Sequence, residues 1–489
     1  MSKTIGSINK KIAAGKARIV RADEMTRIVR ERGARRAAED VDVVTTGTFG
    51  AMCSSGVWLN FGHANPPLRM SRVWLNDVEA YAGVAAVDAY LGATQASTAV
   101  GIGYGGAHVI EDLLRGRPVV LRAVSPGTDC YPRKRILTEV RLEDLNFALL
   151  ANPRNGYQRY DAAANSGSET IQTYMGKLLP RLGNVTYSGA GELSPLNNDP
   201  GYRTIGVGTR VFLGGAPGWI TGPGTQHNPE TGFGTLMVQG DLKAMSTDFL
   251  RAAVMPGYGP TLYIGLGVPI PVLDEEVAAA AGVSDADISV TIKDYSVPSR
   301  NRPGLKTVSY AELKAGMIDL NGRAVPAAPL SSFHKARGIA ETLKQWILNG
   351  EFELTQPAAP LPRKARVRPL EIRRPTNGAF RQRHDTDGNE MAAHGKTQGS
   401  KAAGIEGKTA AAAETRRRSG NGRQNIGSSS LWNESRCFQC GACLSICPSH
   451  VFRRDADWRV TADNALCNNC GRCDGVCPAG ALTRNGDTP

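Results

Sequence analysis

The chain has 489 residues, 41% of them hydrophobic and 21% charged, which is enough apolar side chain for a sizeable core and excludes a largely disordered protein. No run approaches the ~18–20 continuous apolar residues of a membrane span. The first residues lead into charged positions without the apolar core of a secretory signal, so a cytoplasmic protein is expected. The formal charge of +13 is unevenly placed: residues 1–40 hold eleven basic and five acidic side chains and residues 357–430 hold fifteen and six, so the body between them is not a nucleic-acid platform.

In chain order, a helix is predicted from Asp23 to Ala38, with Met25, Ile28 and Val29 on its apolar stripe. Val41–Thr46 is β-branched and alternating, a strand, and runs into a predicted turn, Gly47–Gly56, that carries Cys53. Asn76 caps a predicted helix reaching about Leu91, with Val78, Tyr81, Val84, Ala85 and Val87 apolar and Gly92 as its stop. Gly101-Ile-Gly103-Tyr-Gly105-Gly106 satisfies GxGxxG before a helix-like run, Ala107–Leu114. It lacks a clear preceding strand and an acid ending the next one, so a tight turn or anion-holding loop is expected rather than a dinucleotide site. Pro118–Val124 reads as a strand ending in the turn Ser125–Pro132, which carries Cys130. Residues 185–275 are glycine-rich, with short β runs at 210–213, 235–238 and 261–264. From 331 to 349, Phe333, Ala336, Ile339, Ala340, Leu343, Trp346 and Ile347 recur at helical spacing, between a serine cap and Gly350.

Residues 357–430 change character: basic, rich in Ala, Gly, Ser and Arg, without sustained period, and expected to be a disordered linker. The domains read from the sequence are therefore a body at 1–356, this linker, and a tail at 431–489. The expected fold class is a mixed α/β (α+β) body with a small α+β ferredoxin-like tail.

The tail holds eight of the ten cysteines, in two copies of one run: Cys437-x2-Cys440-x2-Cys443-x3-Cys447-Pro448 and Cys467-x2-Cys470-x2-Cys473-x3-Cys477-Pro478. Zinc sites rarely carry this doubled run, whereas it is the bacterial ferredoxin pattern for two [4Fe–4S] clusters, the fourth cysteine of each run serving the other cluster. One cluster is thus expected on Cys437, Cys440, Cys443 and Cys477, and the other on Cys467, Cys470, Cys473 and Cys447. Such a pair needs an electron donor as partner.

Cys53 and Cys130 stand alone in the body. Arg133, Lys134 and Arg135 beside Cys130 favour its reactive thiolate, while Cys53 has no adjacent charge; either is otherwise a small buried hydrophobe. Around them, Thr48–Gly56, Asn60–His63, Arg72–Tyr81, Gly127–Lys134, Asn165–Gly176, Gly206–Arg210 and Gly224–His227 resemble the homocysteine biosynthesis family, and the resemblance covers roughly residues 5–350. It implies an L-aspartate semialdehyde sulfurtransferase activity: the semialdehyde, sulfide and two electrons give L-homocysteine. It also implies that Cys130 bears the persulfide and that Cys53 is a second functional cysteine. A Cys53–Cys130 disulfide is one oxidised state this chemistry suggests, with the tail as its reductant. His63 and His227 are candidate acid–base groups, and Arg133, Lys134 and Arg210 are candidates for the substrate carboxylate. His108 is read as structural. An electron-transfer adaptor and a sulfurtransferase for another aldehyde stay open as alternatives, as does oligomerisation.

Overall fold

Ser332 caps the helix Phe333–Leu348 by accepting from the Lys335 N–H, and the face it buries is Phe333, Ala336, Ile339, Ala340, Leu343 and Ile347, the predicted stripe. The helix lies across the antiparallel strands Thr48–Ala51 and Gly259–Gly267. Glycine lets it approach: a Cβ at Gly265 would come within 2.7 Å of Ile339 Cδ1, and one at Gly47 would strike the Ala336 carbonyl. Gly47→Ala is therefore expected to lift the helix off the sheet at a cost of about 1–3 kcal/mol, read as a lowered denaturant midpoint.

The computed structural model describes residues 3–365, 367–373, 432–468 and 470–482. Met1–Arg366 and Ser430–Pro489 form one compact unit. Its centre is a nine-stranded antiparallel sheet in the order Leu250–Met255, Gly259–Gly267, Arg210–Leu213, Ala216–Pro223, Leu236–Asp241, Phe147–Asn155, Gly56–Asn60, Asp88–Gly92, with Thr48–Ala51 added on Gly259–Gly267. A second, six-stranded antiparallel sheet runs Arg135–Val140, Val119–Val124, Arg72–Leu75, Val78–Ala80, Ala96–Ser97, Gly101–Gly105. A third is mixed: Ala162–Ala164 pairs parallel with Ser289–Asp294, and Val185–Tyr187 parallel with Arg323–Pro329. The fold is α+β with strands predominating. Of the second unit, Val367–Ser429, the described residues 367–373 are exposed and without regular structure, and the linker's predicted disorder beyond them lies outside the described residues.

Three expectations change. The helix predicted at Asn76–Leu91 is a hairpin and a strand: Asn76 and Asp77, at φ 47° and 62°, form the two-residue turn between Arg72–Leu75 and Val78–Ala80. Asn76 is used as a turn residue, its side-chain carbonyl accepting from the Val120 N–H at 2.8 Å, so it caps nothing. The GxGxxG run is neither a turn nor an anion loop. Gly101–Gly105 is an edge strand that passes directly into the helix Gly106–Leu114, and a Cβ at Gly106 would strike the Gly92 carbonyl. Finally, packing continues past 356: Ala359–Pro360 pairs with Gly206–Val207, and Leu361 is buried. Smaller differences are a break of the first predicted helix at Gly33 and a strand, Thr48–Ala51, inside the predicted turn.

The tail contains the hairpin Phe452–Arg454 with Val460–Ala462 and a bridge between Trp432 and Leu482. It shares the body's cores. Phe438 is 1% exposed and packs on Tyr263 at 4.9 Å and Phe49 at 6.3 Å between ring centres. Cys440, Ala442, Ile446 and Val476 join Met175, Leu178, Tyr295 and Leu330 of the body. The Val254 N–H donates to the Pro478 carbonyl at 3.0 Å, and Lys177 Nζ donates to the carbonyls of Arg472 and Asp474.

Candidate active site

Cys53 sits in the tight turn joining Thr48–Ala51 to Gly56–Asn60. The turn is pinned from below: the Asn152 amide donates to Ser55 Oγ at 2.8 Å, and the Asn152 carbonyl oxygen accepts from the Arg154 N–H at 2.8 Å. One buried asparagine thus sets both the thiol and the guanidinium beside it. Burial works against the charged Arg154, but Tyr157, Cys53 and Tyr160 face it and raise its pKa, and the guanidinium donates to the Gln226 side-chain carbonyl. Burial first, then Cys53, pushes the Tyr157 phenol up to about 12. Burial and Cys53 also raise Tyr258, against Arg154.

These groups line a cavity of about 330 Å³ together with Tyr160, Tyr174, Met175, Ser188, Gln226, Met255, Thr261, Arg302 and Leu330, a size that suits a small ligand. Arg302 donates to Tyr174 Oη at 2.8 Å and lies 4.6 Å over the Tyr295 ring. Arg154 Nε and Thr261 Oγ1 are buried without a hydrogen-bond partner, which marks the cavity as one that wants a polar occupant.

Cys130 lies elsewhere. It is exposed at the tip of a loop closed by reciprocal backbone bonds between Thr128 and Tyr131. Arg133 ties that loop to the carbonyls of Asn65 and Pro66, at 2.6 and 2.9 Å, and His63 stacks on Tyr131. Cys53 precedes the strand Gly56–Asn60, whereas this anchor follows it. Five residues of strand span roughly 13 Å, so the strand separates the turn of Cys53 from the anchor of the Cys130 loop, and Cys130 does not line the cavity that Cys53 does. Both are free thiols.

The structure gives the other candidates structural partners. Both ring nitrogens of His227 are engaged, one with Thr235 and the other with the Pro362 carbonyl at 2.9 Å, so this histidine latches the chain after 359 rather than moving protons. Arg210 stacks on Phe352 and Lys134 packs on Gly127; neither lines the cavity. His108 Nδ1 accepts from the Gly105 N–H, and burial lowers its pKa, consistent with a structural role. The residues sequence reading missed are Arg154, Tyr157, Tyr160, Tyr258 and Arg302. The signal available was the cation and aromatic interleaving of Arg154–Tyr160, which carries no spacing motif.

Among the tail cysteines, Cys437, Cys440, Cys443 and Cys477 act on one another, and Cys473 is acted on by Cys447 and Cys467. Cys443 is raised by burial and then by Cys440, Cys477 and Cys437, and Cys440 by burial, Cys477 and Cys437. Cys473 is raised by burial and Asp474, with Cys447 and Cys467 adding. Among the described residues no group of three or more His, Cys, Asp or Glu is set to hold a single metal ion.

Residues 17–354 match the family described as homocysteine biosynthesis enzyme, sulfur-incorporation, and residues 436–481 match a 4Fe-4S dicluster domain, which carries two [4Fe–4S] clusters. The chain is 56% identical over 371 residues to an L-aspartate semialdehyde sulfurtransferase of Methanosarcina acetivorans, covering 76% of this chain and 74% of that one. It is also 56% identical over 369 residues to one of Methanocaldococcus jannaschii, covering 72% of each. An uncharacterized protein of Methanothermobacter thermautotrophicus is 28% identical over 328 residues, covering 65% of this chain and 73% of that one. No solved structure matches. No helix among the described residues is long and apolar enough to cross a membrane. On the match across most of its length, the chain belongs to the homocysteine biosynthesis enzyme, sulfur-incorporation family, here joined to a C-terminal 4Fe-4S dicluster domain.

Proposed function

We propose that this chain forms L-homocysteine from L-aspartate semialdehyde, sulfide and two electrons in the cytoplasm, with carbon and sulfur joined in the cavity at Cys53. The observation that carries the reading is the half-buried Cys53 thiol facing Arg154 in a cavity whose wall also packs against Cys440. The names of the two relatives at 56% identity support the same substrate.

In the balanced reaction the aldehyde oxygen leaves as water, a carbon–sulfur bond forms, and two electrons with two protons take the thioaldehyde to the thiol. Arg154 is the cation that faces the Cys53 sulfur in the cavity. Arg302, held by Tyr174 and Tyr295, pairs the substrate carboxylate. Tyr157, its pKa pushed up to about 12, stays protonated at neutral pH and donates to the aldehyde oxygen. Cys130, exposed beside Arg133, Lys134 and Arg135, takes up sulfur from outside as a persulfide. A persulfide's outer sulfur is two electrons more oxidised than sulfide, so sulfur arriving from a sulfane donor draws four electrons per homocysteine rather than two. When bound, the clusters on Cys437, Cys440, Cys443, Cys477 and on Cys447, Cys467, Cys470, Cys473 supply electrons singly.

The test is anaerobic turnover of cluster-loaded protein with aspartate semialdehyde, ³⁴S-sulfide and a low-potential reductant, with homocysteine read by mass spectrometry. Labelled homocysteine is expected; none from protein with both clusters reducible overturns the proposal. Arg302→Ala is expected to raise KM for the semialdehyde ~10–100-fold, the worth of a hydrogen bond to a charged group, with a smaller change in kcat.

A further inference from the structure

The two cysteine groups of the tail stand in opposite surroundings. The first run is walled in by the body. Phe438 is 1% exposed and Cys440 8%, and Cys440 packs with Met175 and Leu330, both of which line the Cys53 cavity. Met255, a third lining residue, shares its core with Phe438. Tyr263 completes this wall: fully buried, it touches Phe438, donates to the Leu330 carbonyl at 3.0 Å, and is paired in register with Ala51 of the cavity. The second run is covered only at its end, where Val476 is buried with the body and Lys177 donates to the carbonyls of Arg472 and Asp474; its start is open. Cys470 is exposed, as are residues 463–466, 468 and 472, and Leu466 beside Cys467 is 39% exposed although apolar.

We infer that the two clusters hold different posts: the one on Cys437, Cys440, Cys443 and Cys477 faces the cavity and is the exit, and the one on Cys447, Cys467, Cys470 and Cys473 is the port where a soluble one-electron carrier protein docks around Leu466. The exit half rests on the function proposed for the cavity; the port half does not. Each passage oxidises the carrier by one electron, and two passages with two protons convert one carbon–sulfur double bond to C–H and S–H. An apolar side chain left exposed next to a cluster ligand is what a transient redox contact requires, since such interfaces are small and must part quickly.

The test is electron paramagnetic resonance of the cluster-loaded full chain, with Cys470→Asp identifying the outer cluster's signal. Calorimetry reports L-homoserine binding, and homoserine bound in the cavity is expected to change the inner cluster's signal alone. Reduced flavodoxin, as the carrier, is expected to fill the outer signal first, and Leu466→Arg is expected to slow that filling at least tenfold while dithionite still reduces both clusters. A homoserine effect on the outer signal, or none on either while homoserine binds, overturns the exit assignment. Flavodoxin reducing Leu466→Arg at the wild-type rate overturns the port. Failure of homoserine to bind, with the carrier results as expected, overturns the reading of the cavity and with it the exit, and leaves the port standing.

Discussion

Cys53→Ser is expected to stop formation of labelled homocysteine, by about 10³-fold or more, at every sulfide concentration. The substitution keeps the turn, because Ser55 and Asn152 hold it rather than the thiol. It removes the only cysteine sulfur lining the cavity among the described residues, and the loss of a nucleophile typically costs at least this much. Cys130→Ser separates the two roles. Its loop is exposed and stands at the other end of the strand Gly56–Asn60, so its loss is expected to be severe with a sulfane donor, the source that can load a persulfide without a separate oxidant, and to be bypassed when sulfide is supplied directly. Rates of both variants across a sulfide series check the assignment. A dead Cys130→Ser at saturating sulfide beside an active Cys53→Ser would move the chemistry to the exposed loop.

Phe438→Ala is the second large effect. The ring is buried among Phe49, Tyr263 and the Arg251 guanidinium, which lies 5.1 Å over it, and it comes from the tail while all three partners come from the body. Truncating a buried phenylalanine costs about 3–5 kcal/mol, a large part of the ~5–15 kcal/mol that holds a domain folded. Because the lost contacts join tail to body, that cost is expected to appear as release of the tail, with early proteolysis near residue 437 and loss of carrier-driven turnover, while iron content is kept. Phe438→Leu refills most of the space and is expected to recover most of both. Normal turnover from Phe438→Ala with its tail accessible to protease would show that this docking is not used.

The sequence made the local and the repetitive legible. The helix Phe333–Leu348 followed from its stripe and cap, the short β runs from their branching, and the tail's cofactor from eight cysteines at fixed spacing. The hairpin at Asn76 was misread because its apolar spacing fits a helix, and Asn76-Asp77 takes positive φ without the glycine that usually announces such a turn. The cavity escaped for a different reason. Arg154 to Tyr160, Tyr174, Tyr258 and Arg302 come from four separate segments and converge only when long-range strand pairing is complete. Nothing local marks them. The two lone cysteines were visible, but their separation by one strand's length belongs to register and could not be read from residue types.

The side chains of Met175, Met255 and Leu330, where the cavity adjoins the tail, carry no exchangeable hydrogen, whereas those of Tyr157 and Tyr258 on other parts of its lining do. On the function proposed for this cavity, negative charge and hydrogen ions would reach the reacting carbon along separate conduits, one through thioether and aliphatic contacts and the other through phenols. The substrate is the junction between them. On that reading an empty cavity leaves the first conduit without an acceptor, and reducing power stored in the tail would be kept from idle discharge until an aldehyde arrives to complete the circuit.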